Sequence, residues 1–292
     1  MHKKSNGVLK SQLVVLSVII LSLLILVFPL TSQGLPISFL SLFMSEEKQA
    51  ELEEISLEEI SNTHQLDLVN SQYNLPNISL TQDLVPVSEE LNGGYHIFLR
   101  KSVGGAVEKL ITTTQRKVGG QFIISSGYRS STQQDILYNE AEDKSFVQKA
   151  NHSEHETGYA ADIAVLNVED VANSPQSKYL QKNSWKFGLV LRYPKGKETI
   201  TRISNEPLHF RYVGEIHAFY MTKHGMVLEE YIDYLKHIKG YIQAINKDKT
   251  YHVSYQTPKN GKIKVPIKGN YEVSSDNTGG YIVTSWEEKS DL

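Results

Sequence analysis

Cysteine is absent from this 292-residue chain. Its absence excludes disulfides, thiolate metal sites, a cysteine nucleophile and lipid attachment at an N-terminal cysteine. A metal ion would have to be held by carboxylates and by histidines, of which the chain has 10. An excess of basic residues is also missing, because the formal net charge is -3. This balance predicts no nucleic-acid partner, since nucleic-acid binding depends largely on positive charge.

Hydrophobic residues, by contrast, make up 40% of the chain, which is enough for a sizeable core. One uncharged, largely apolar run of 18 residues extends from Leu13 to Leu30, and three lysines precede it. This length is near the lower limit for a membrane-spanning helix. The lysines predict a cytoplasmic basic tail at 1–12, a transmembrane anchor at 13–31 and an extracytoplasmic body, in a single-pass protein of the cell membrane. A cleaved signal peptide is the alternative, and it also places the body outside the cytoplasm.

The rest of the chain divides by composition into three parts. Residues 32–65 include the acidic stretch SEEKQAELEEISLEE, which is rich in helix formers and predicts a solvated stalk. Residues 66–239 have a globular texture, with helical spacing over 102–118 and 226–239 and short apolar runs typical of strands between them. Residues 240–292 show mostly alternating apolar residues, broken by Gly, Asn and Asp, which predicts a small β appendage.

Two histidines and an aspartate form the most informative pattern. His155 and Asp162 lie in SEHETGYAAD, and His209 follows in EPLHFR, 47 positions after Asp162. Three such ligands with an open fourth position are typical of a catalytic zinc site. From the residues alone, the alternative is that these side chains are structural polar groups with satisfied hydrogen bonds.

Glu206, three positions before His209, can supply the general base that a peptide hydrolase needs. Simple alternation along a strand would place Glu206 and His209 on opposite faces, although Pro207 between them breaks regular strand geometry. The residues therefore leave open whether both side chains reach one site.

Longer motifs resemble a known group of enzymes. SEHETGYAAD is similar to the S-x-H-x-x-G-x-A-x-D signature of the metallopeptidases that include lysostaphin-like enzymes, D-Ala-D-Ala peptidases and the hedgehog domain. EPLH resembles their second signature, usually E-x-W-H, except that Leu208 replaces the tryptophan. SGYRS, followed by Gln134, is a third element, and the stretch from Gly188 to Gly214 resembles the vancomycin-resistance carboxypeptidases of the VanY type.

This resemblance implies roles at the matching positions. Glu206 would be the catalytic base. Arg129 would stabilise charge developing on the scissile carbonyl oxygen, because a guanidinium has a permanent charge and forked donors. The residues that would bind Zn²⁺ are His155, Asp162 and His209. Those that would line the substrate site are Gln134 and Ser153, with Tyr128 as a further candidate that could equally pack in the core.

The resemblance also implies an α+β fold, in which a small antiparallel sheet with flanking helices bears the zinc site between the membrane anchor and the β appendage. The implied function is that of a zinc D-alanyl-D-alanine carboxypeptidase, which hydrolyses the terminal D-Ala from peptidoglycan stem peptides ending in D-Ala-D-Ala and can contribute to glycopeptide resistance. Two alternatives stay open: an L,D-carboxypeptidase acting on tetrapeptide stems, and an inactive zinc-holding module that binds peptidoglycan. Because Leu208 is smaller than tryptophan, we expect altered substrate fit with zinc binding retained.

Overall fold

The computed structural model describes residues 51–76, 83–245 and 249–288. In these ranges the strands are β1 (Leu52–Ser56), β2 (Leu84–Pro86), β3 (Phe98–Arg100), β4 (Gln121–Ser126), β5 (Ala160–Leu166), β6 (Leu189–Tyr193), β7 (Glu206–Tyr212), β8 (Gly240–Ala244), β9 (Lys249–Gln256), β10 (Lys262–Pro266), β11 (Asn270–Ser275) and β12 (Tyr281–Glu288). The helices are α1 (Lys101–Val118), α2 (Ser131–Glu140), α3 (Pro175–Asn183), α4 (Glu198–Thr201), α5 (Glu215–His224) and α6 (Leu228–Ile238). Short 3-10 turns cover Lys144–Phe146, Glu154–Thr157 and Ser184–Phe187.

Four antiparallel strands form the sheet that positions the site, in the order β4-β5-β7-β6. Helix α1 buries one face because its apolar residues recur at intervals of three and four positions. Leu110 and Ile111 of that face share a core cluster with Ile124 and Ile163 of the sheet and with Leu180 of α3. The mixed α/β fold predicted from the sequence is confirmed, as is the helix predicted over 102–118.

A second antiparallel sheet, with the order β11-β12-β9-β8, lies in the C-terminal part of the chain. Its strands fall within the predicted appendage, but its core is not separate. Tyr251 and Val253 of β9 share one hydrophobic cluster with Leu66, Val213 and Tyr231. The boundary predicted between residues 239 and 240 therefore crosses a continuous core, which ties helices α5 and α6 to the C-terminal sheet.

The structure describes residues 51–65 of the segment predicted as a solvated stalk, and these residues pack against the C-terminal strands. Leu52–Ser56 is strand β1, paired antiparallel with β10. Beyond it, Leu57 and Ile60 pack, together with Ile55, on a small cluster of strands β10, β11 and β12. The prediction of a solvated stalk is wrong for residues 51–65, because Ile55, Leu57 and Ile60 pack against apolar side chains more than 200 residues away in the chain. Tertiary pairing has overridden local helix propensity.

The predicted basic tail at 1–12 and the predicted transmembrane anchor at 13–31 lie outside the described residues, as does the part of the stalk up to residue 50. Among the helices that the structure describes, none combines the length and the apolar character needed to cross a bilayer.

Candidate metal centre

The three predicted metal ligands converge at one point of the main sheet. Asp162 on β5 lies directly opposite His209 on β7 in the strand register. His155 reaches the same point from the 3-10 turn that precedes β5. One ligand atom from each residue lies within 4.8 Å of the other two. Both imidazoles are buried and the carboxylate is partly exposed, so the cluster opens to solvent on the aspartate side.

His155 is held with one particular ring nitrogen towards the cluster. Its Nδ1 lies 2.7 Å from the carbonyl oxygen of Gly127. A carbonyl can only accept, so Nδ1 carries the hydrogen and Nε2 keeps its lone pair. That Nε2 lies 3.3 Å from Asp162 Oδ2. A metal-binding histidine usually donates its other N–H in this way, which fixes the tautomer and the ring orientation.

His209 directs its Nδ1 atom towards the cluster, whereas His155 directs its Nε2. Its Nδ1 lies 2.8 Å from Asp162 Oδ1 and 3.4 Å from Glu206 Oε2. Its Nε2 points away from the cluster, towards the buried carboxylate of Glu154, whose Oε2 is 3.6 Å distant. The ring stands nearly perpendicular to that of His155, with centroids 5.0 Å apart. Two imidazole nitrogens and one carboxylate therefore face one another across a small space.

The electrostatics of this cluster favour a bound cation. Burial alone would raise the pKa of Asp162, but His155 and His209 outweigh it and hold that pKa well below its usual range. Burial would also lower the pKa of His209, but Asp162, with help from the nearby carboxylates of Glu154 and Glu206, raises it to about 9. The cluster of carboxylates thus attracts positive charge, which a proton on His209 supplies when no metal does.

The donor set also fits the dimensions of a metal site. Zinc bonded to imidazole nitrogen at ~2.0–2.1 Å in a tetrahedral shell separates neighbouring ligand atoms by roughly 3.4 Å. Asp162 Oδ2 lies 3.3 Å from His155 Nε2, which matches that separation, and Asp162 Oδ1 lies 2.8 Å from His209 Nδ1, which is shorter. Three protein ligands of this type leave one coordination position for water or substrate.

Glu206 reaches the same site in spite of the alternation rule. Strands β6 and β7 are paired at Leu191 with Phe210 and again at Tyr193 with Glu206, so one residue of β6 is matched by three of β7. This irregularity turns the Glu206 side chain to the face that bears His209. Burial raises the pKa of Glu206 to about 7, with Asp162 adding to the effect and His209 and Arg129 opposing it. A carboxyl group tuned close to neutrality is suited to general acid–base catalysis.

Arg129 lies beside the metal cluster. Its backbone N–H donates to the carbonyl oxygen of His155 over 3.3 Å. The guanidinium is close enough to Asp162 and Glu206 for their charges to act on it. Its buried Nε has no hydrogen-bond partner in the described part of the chain. Arg129 therefore lies near Asp162 and Glu206, with its Nε available to donate a further hydrogen bond.

The three predicted substrate residues are placed differently from one another. Gln134 is buried on α2, where its Nε2 donates to the carbonyl of Gln148 while Oε1 has no partner among the described residues. Ser153 is buried as the cap of the 3-10 turn, and its Oγ accepts from the N–H of His155 over 3.3 Å. Tyr128 is half-buried next to Arg129, and its backbone N–H donates to the carbonyl of Phe98. Ser153 therefore serves the turn that presents His155.

Two residues close to the cluster were missed by the sequence reasoning. Glu154 lies within the motif itself, and Arg192 lies within the apolar run GLVLRYP, and both side chains are fully buried. Charged residues are rarely buried completely unless they are paired. A lone arginine in a strand that reads as core is the signal that could have identified Arg192 and prompted the search for its partner.

The chain is similar to several proteins of described activity. Residues 96–215 match the family model described as VanY, D-alanyl-D-alanine carboxypeptidase. Over 224 residues the chain is 35% identical to a D-alanyl-D-alanine carboxypeptidase of Enterococcus faecium, and the match covers 74% of this chain and 73% of that protein.

Two solved structures are also similar. The crystal structure of the vancomycin resistance D,D-dipeptidase VanXYg, in complex with a D-Ala-D-Ala phosphinate analog, has a TM-score of 0.69 and 28% identity, and the match covers 82% of this chain and 100% of that one. The LdcB LD-carboxypeptidase has a TM-score of 0.53 and 29% identity, with 63% of this chain and 94% of that one covered. The resemblance seen in the sequence motifs thus extends to the fold.

Proposed function

Because this chain belongs to the VanY family of D-alanyl-D-alanine carboxypeptidases, we propose that it is a zinc enzyme that removes the terminal D-alanine from peptidoglycan stem peptides ending in D-Ala-D-Ala. The observation that carries the proposal is the convergence of His155, Asp162 and His209 with the carboxylate of Glu206 beside them. A site that only held a metal would have no need of that fourth, proton-accepting group.

The proposed mechanism assigns the metal to His155 Nε2, Asp162 and His209 Nδ1. Zinc held by such ligands supplies Lewis-acid chemistry, since it makes water more acidic and polarises a carbonyl group. Glu206 takes the proton from the attacking water and later delivers it to the leaving nitrogen of D-alanine. Arg129 donates hydrogen bonds to the scissile carbonyl oxygen as negative charge develops there.

Substrate binding is assigned to the groups that still have hydrogen-bonding capacity at the site. The Oε1 atom of Gln134 is buried without a partner in the described ranges, so it can accept a hydrogen bond from an N–H of the peptide. The VanXYg structure contains a D-Ala-D-Ala phosphinate analog. That similarity supports a D-Ala-D-Ala terminus as the substrate of this chain. Loss of this terminus from wall precursors would contribute to glycopeptide resistance, as the name of that relative suggests.

We further propose that the catalytic part lies outside the cytoplasm and is attached to the membrane by residues 13–31. The support is the apolar run with its preceding lysines, together with a substrate found in the cell wall. Protease treatment of intact protoplasts should remove the catalytic part. Its protection until the cells are lysed would contradict this location.

The decisive experiment combines metal analysis with product measurement. The purified protein should contain one zinc per chain and should release D-alanine from a pentapeptide stem ending in D-Ala-D-Ala, and chelation should abolish the release. Release only from tetrapeptide stems would favour the L,D-carboxypeptidase, and zinc without any release would favour the inactive binding module. Protein that binds no zinc and releases no D-alanine would refute the proposed function.

A further inference from the structure

The far side of His209 contains an unusual pair of atoms. His209 Nε2 and Glu154 Oε2 are both buried, and neither has a hydrogen-bond partner among the described residues. They nevertheless face each other across 3.6 Å. This ring nitrogen therefore faces a carboxylate oxygen that has no other hydrogen-bond partner in the described part of the chain.

Glu154 is held in that position by buried cations. Its other oxygen, Oε1, lies 2.7 Å from Arg192 Nε and 3.2 Å from Arg211 Nη1. Arg192 also donates two parallel hydrogen bonds, of 2.8 and 2.7 Å, to the carboxylate of Glu229. Glu229 lies in the first turn of α6, where the positive end of the helix dipole favours a carboxylate. A chain of charges, fully buried at Arg192, Arg211 and Glu154 and partly buried at Glu229, thus runs from helix α6 to the metal cluster.

We propose that Glu154, held by Arg192, is a positioning residue: it keeps the proton of His209 on Nε2 and so directs the Nδ1 lone pair to the metal. This inference rests on the metal site of the proposed function. Carboxylates commonly act on metal-binding histidines in this way, and losing them weakens metal binding by ~10–100-fold. Glu154 would do for His209 what the Gly127 carbonyl does for His155.

A purely structural role accounts less well for this arrangement. Arg192 already donates two hydrogen bonds to Glu229, so it does not need Glu154 in order to be neutralised, and Arg211 is within 3.2 Å of only one Glu154 oxygen, Oε1. Burying a further carboxylate is costly, and buried ion pairs are often no more stable than apolar residues of the same volume. The one oxygen of Glu154 that the arginines leave free is the one that faces His209. Positioning of the ligand explains that orientation.

The test measures zinc affinity in Glu154→Gln by competition with a chromophoric chelator. The glutamine has the same shape but only a neutral oxygen to offer, so we expect zinc binding to weaken by ~10–100-fold relative to the unchanged protein. The matched control is Glu230→Gln, which removes a carboxylate in the same helical turn as Glu229 that pairs with Lys197 at 2.7 Å instead of with Arg192. Zinc affinity of this control should equal that of the unchanged protein.

A second measurement needs no variant. In the zinc-loaded, ¹⁵N-histidine-labelled protein, long-range ¹H–¹⁵N spectra should show His209 with a proton on Nε2 and the metal on Nδ1; the resonances are identified by their loss in His209→Gln. The reverse pattern overturns the proposal even if Glu154→Gln does not fold. A folded Glu154→Gln whose affinity falls by less than tenfold, or an equal loss in Glu230→Gln, also overturns it. These outcomes differ from a failure of the proposed function, in which the unchanged protein itself binds no zinc.

Discussion

Asp162 and His209 lie opposite each other on neighbouring antiparallel strands, with Asp162 Oδ1 2.8 Å from His209 Nδ1. The carboxylate therefore approaches the nitrogen that is proposed to bind the metal. Without a metal, this nitrogen is the natural place for a proton. Metal and proton thus compete for one atom, and the competition can be measured.

Zinc binding should become tighter as the pH rises towards 9. The pKa of His209 is raised to about 9 because Asp162 and the neighbouring carboxylates outweigh the effect of burial. Below that pH the metal must displace a proton, so the association constant should rise by up to about tenfold per pH unit. Calorimetry in buffers of different ionisation enthalpy should detect the released proton.

The control for this pH dependence is His237→Gln, which alters an exposed histidine on α6 and should keep the same profile. An association constant that is flat between pH 6 and 9, with no proton released, would show that His209 is already neutral in the metal-free protein.

Glu206→Gln should abolish most of the activity while the metal is retained. The glutamine keeps the shape of the side chain but cannot accept a proton, and loss of a general base typically costs ~10²–10⁴-fold in rate. Zinc content and kcat for D-alanine release are the two measurements. The matched control is Glu198→Gln, which alters a partly exposed carboxylate at the start of α4 and should have normal kcat. Activity of Glu206→Gln within threefold of the unchanged protein would remove Glu206 from the mechanism.

The same residue shows where sequence reasoning reaches its limit. The convergence of His155, Asp162 and His209 could be predicted because the motifs that contain them resemble those of a known enzyme group. The direction of the Glu206 side chain could not be predicted, because it depends on how β7 pairs with β6. In that pairing Glu206 lies opposite Tyr193 of β6. The alternation rule describes successive residues of a single strand, whereas the pairing of two strands depends on residues far apart in the chain.

Glu154 and the acidic segment illustrate two further causes. Glu154 stands next to a predicted ligand, yet its proposed role depends on Arg192, which is 38 positions away in the chain. The local composition of the segment before residue 66 is acidic and helix-forming, which predicts a stalk. The strand with which it pairs, Lys262–Pro266, lies near the other end of the amino-acid sequence. In both cases the deciding interaction is long-range, whereas composition and periodicity describe only neighbours.

Arg129→Lys should impair catalysis without weakening zinc binding. Lysine keeps the positive charge near Asp162 and Glu206 but loses the forked donors, so it cannot reproduce a guanidinium's hydrogen bonds to the carbonyl oxygen. Removing one such donor typically lowers kcat by roughly 10²–10³-fold. The measurements are kcat for D-alanine release and zinc affinity, with Arg116→Lys at the exposed end of α1 as control. Normal kcat in Arg129→Lys would show that charge alone suffices.

His217 should make the folded protein less stable in acid. The residue is fully buried between α5 and the C-terminal sheet, where Nδ1 lies 2.6 Å from the hydroxyl of Tyr231 and Nε2 lies 3.1 Å from that of Thr284. Burial lowers its pKa to about 3, whereas an unfolded chain has a histidine pKa of ~6.5. Between these two values only the unfolded chain takes up the proton. The free energy of unfolding should therefore fall as the pH drops through this window, by up to ~1.4 kcal/mol per pH unit from this group.

The variant His217→Gln separates this contribution from that of the carboxylates, which also titrate in acid. It should be less stable than the unchanged protein at pH 7, because it loses buried hydrogen bonds, but the difference should shrink as the pH falls from 6.5 towards 4. Urea unfolding at several pH values measures the difference directly, and His237→Gln should show no such convergence, since that histidine is exposed on α6. If the gap between His217→Gln and the unchanged protein is the same at every pH, then His217 is not held neutral in the fold. The junction between α5 and the C-terminal sheet would in that case tolerate a buried charge.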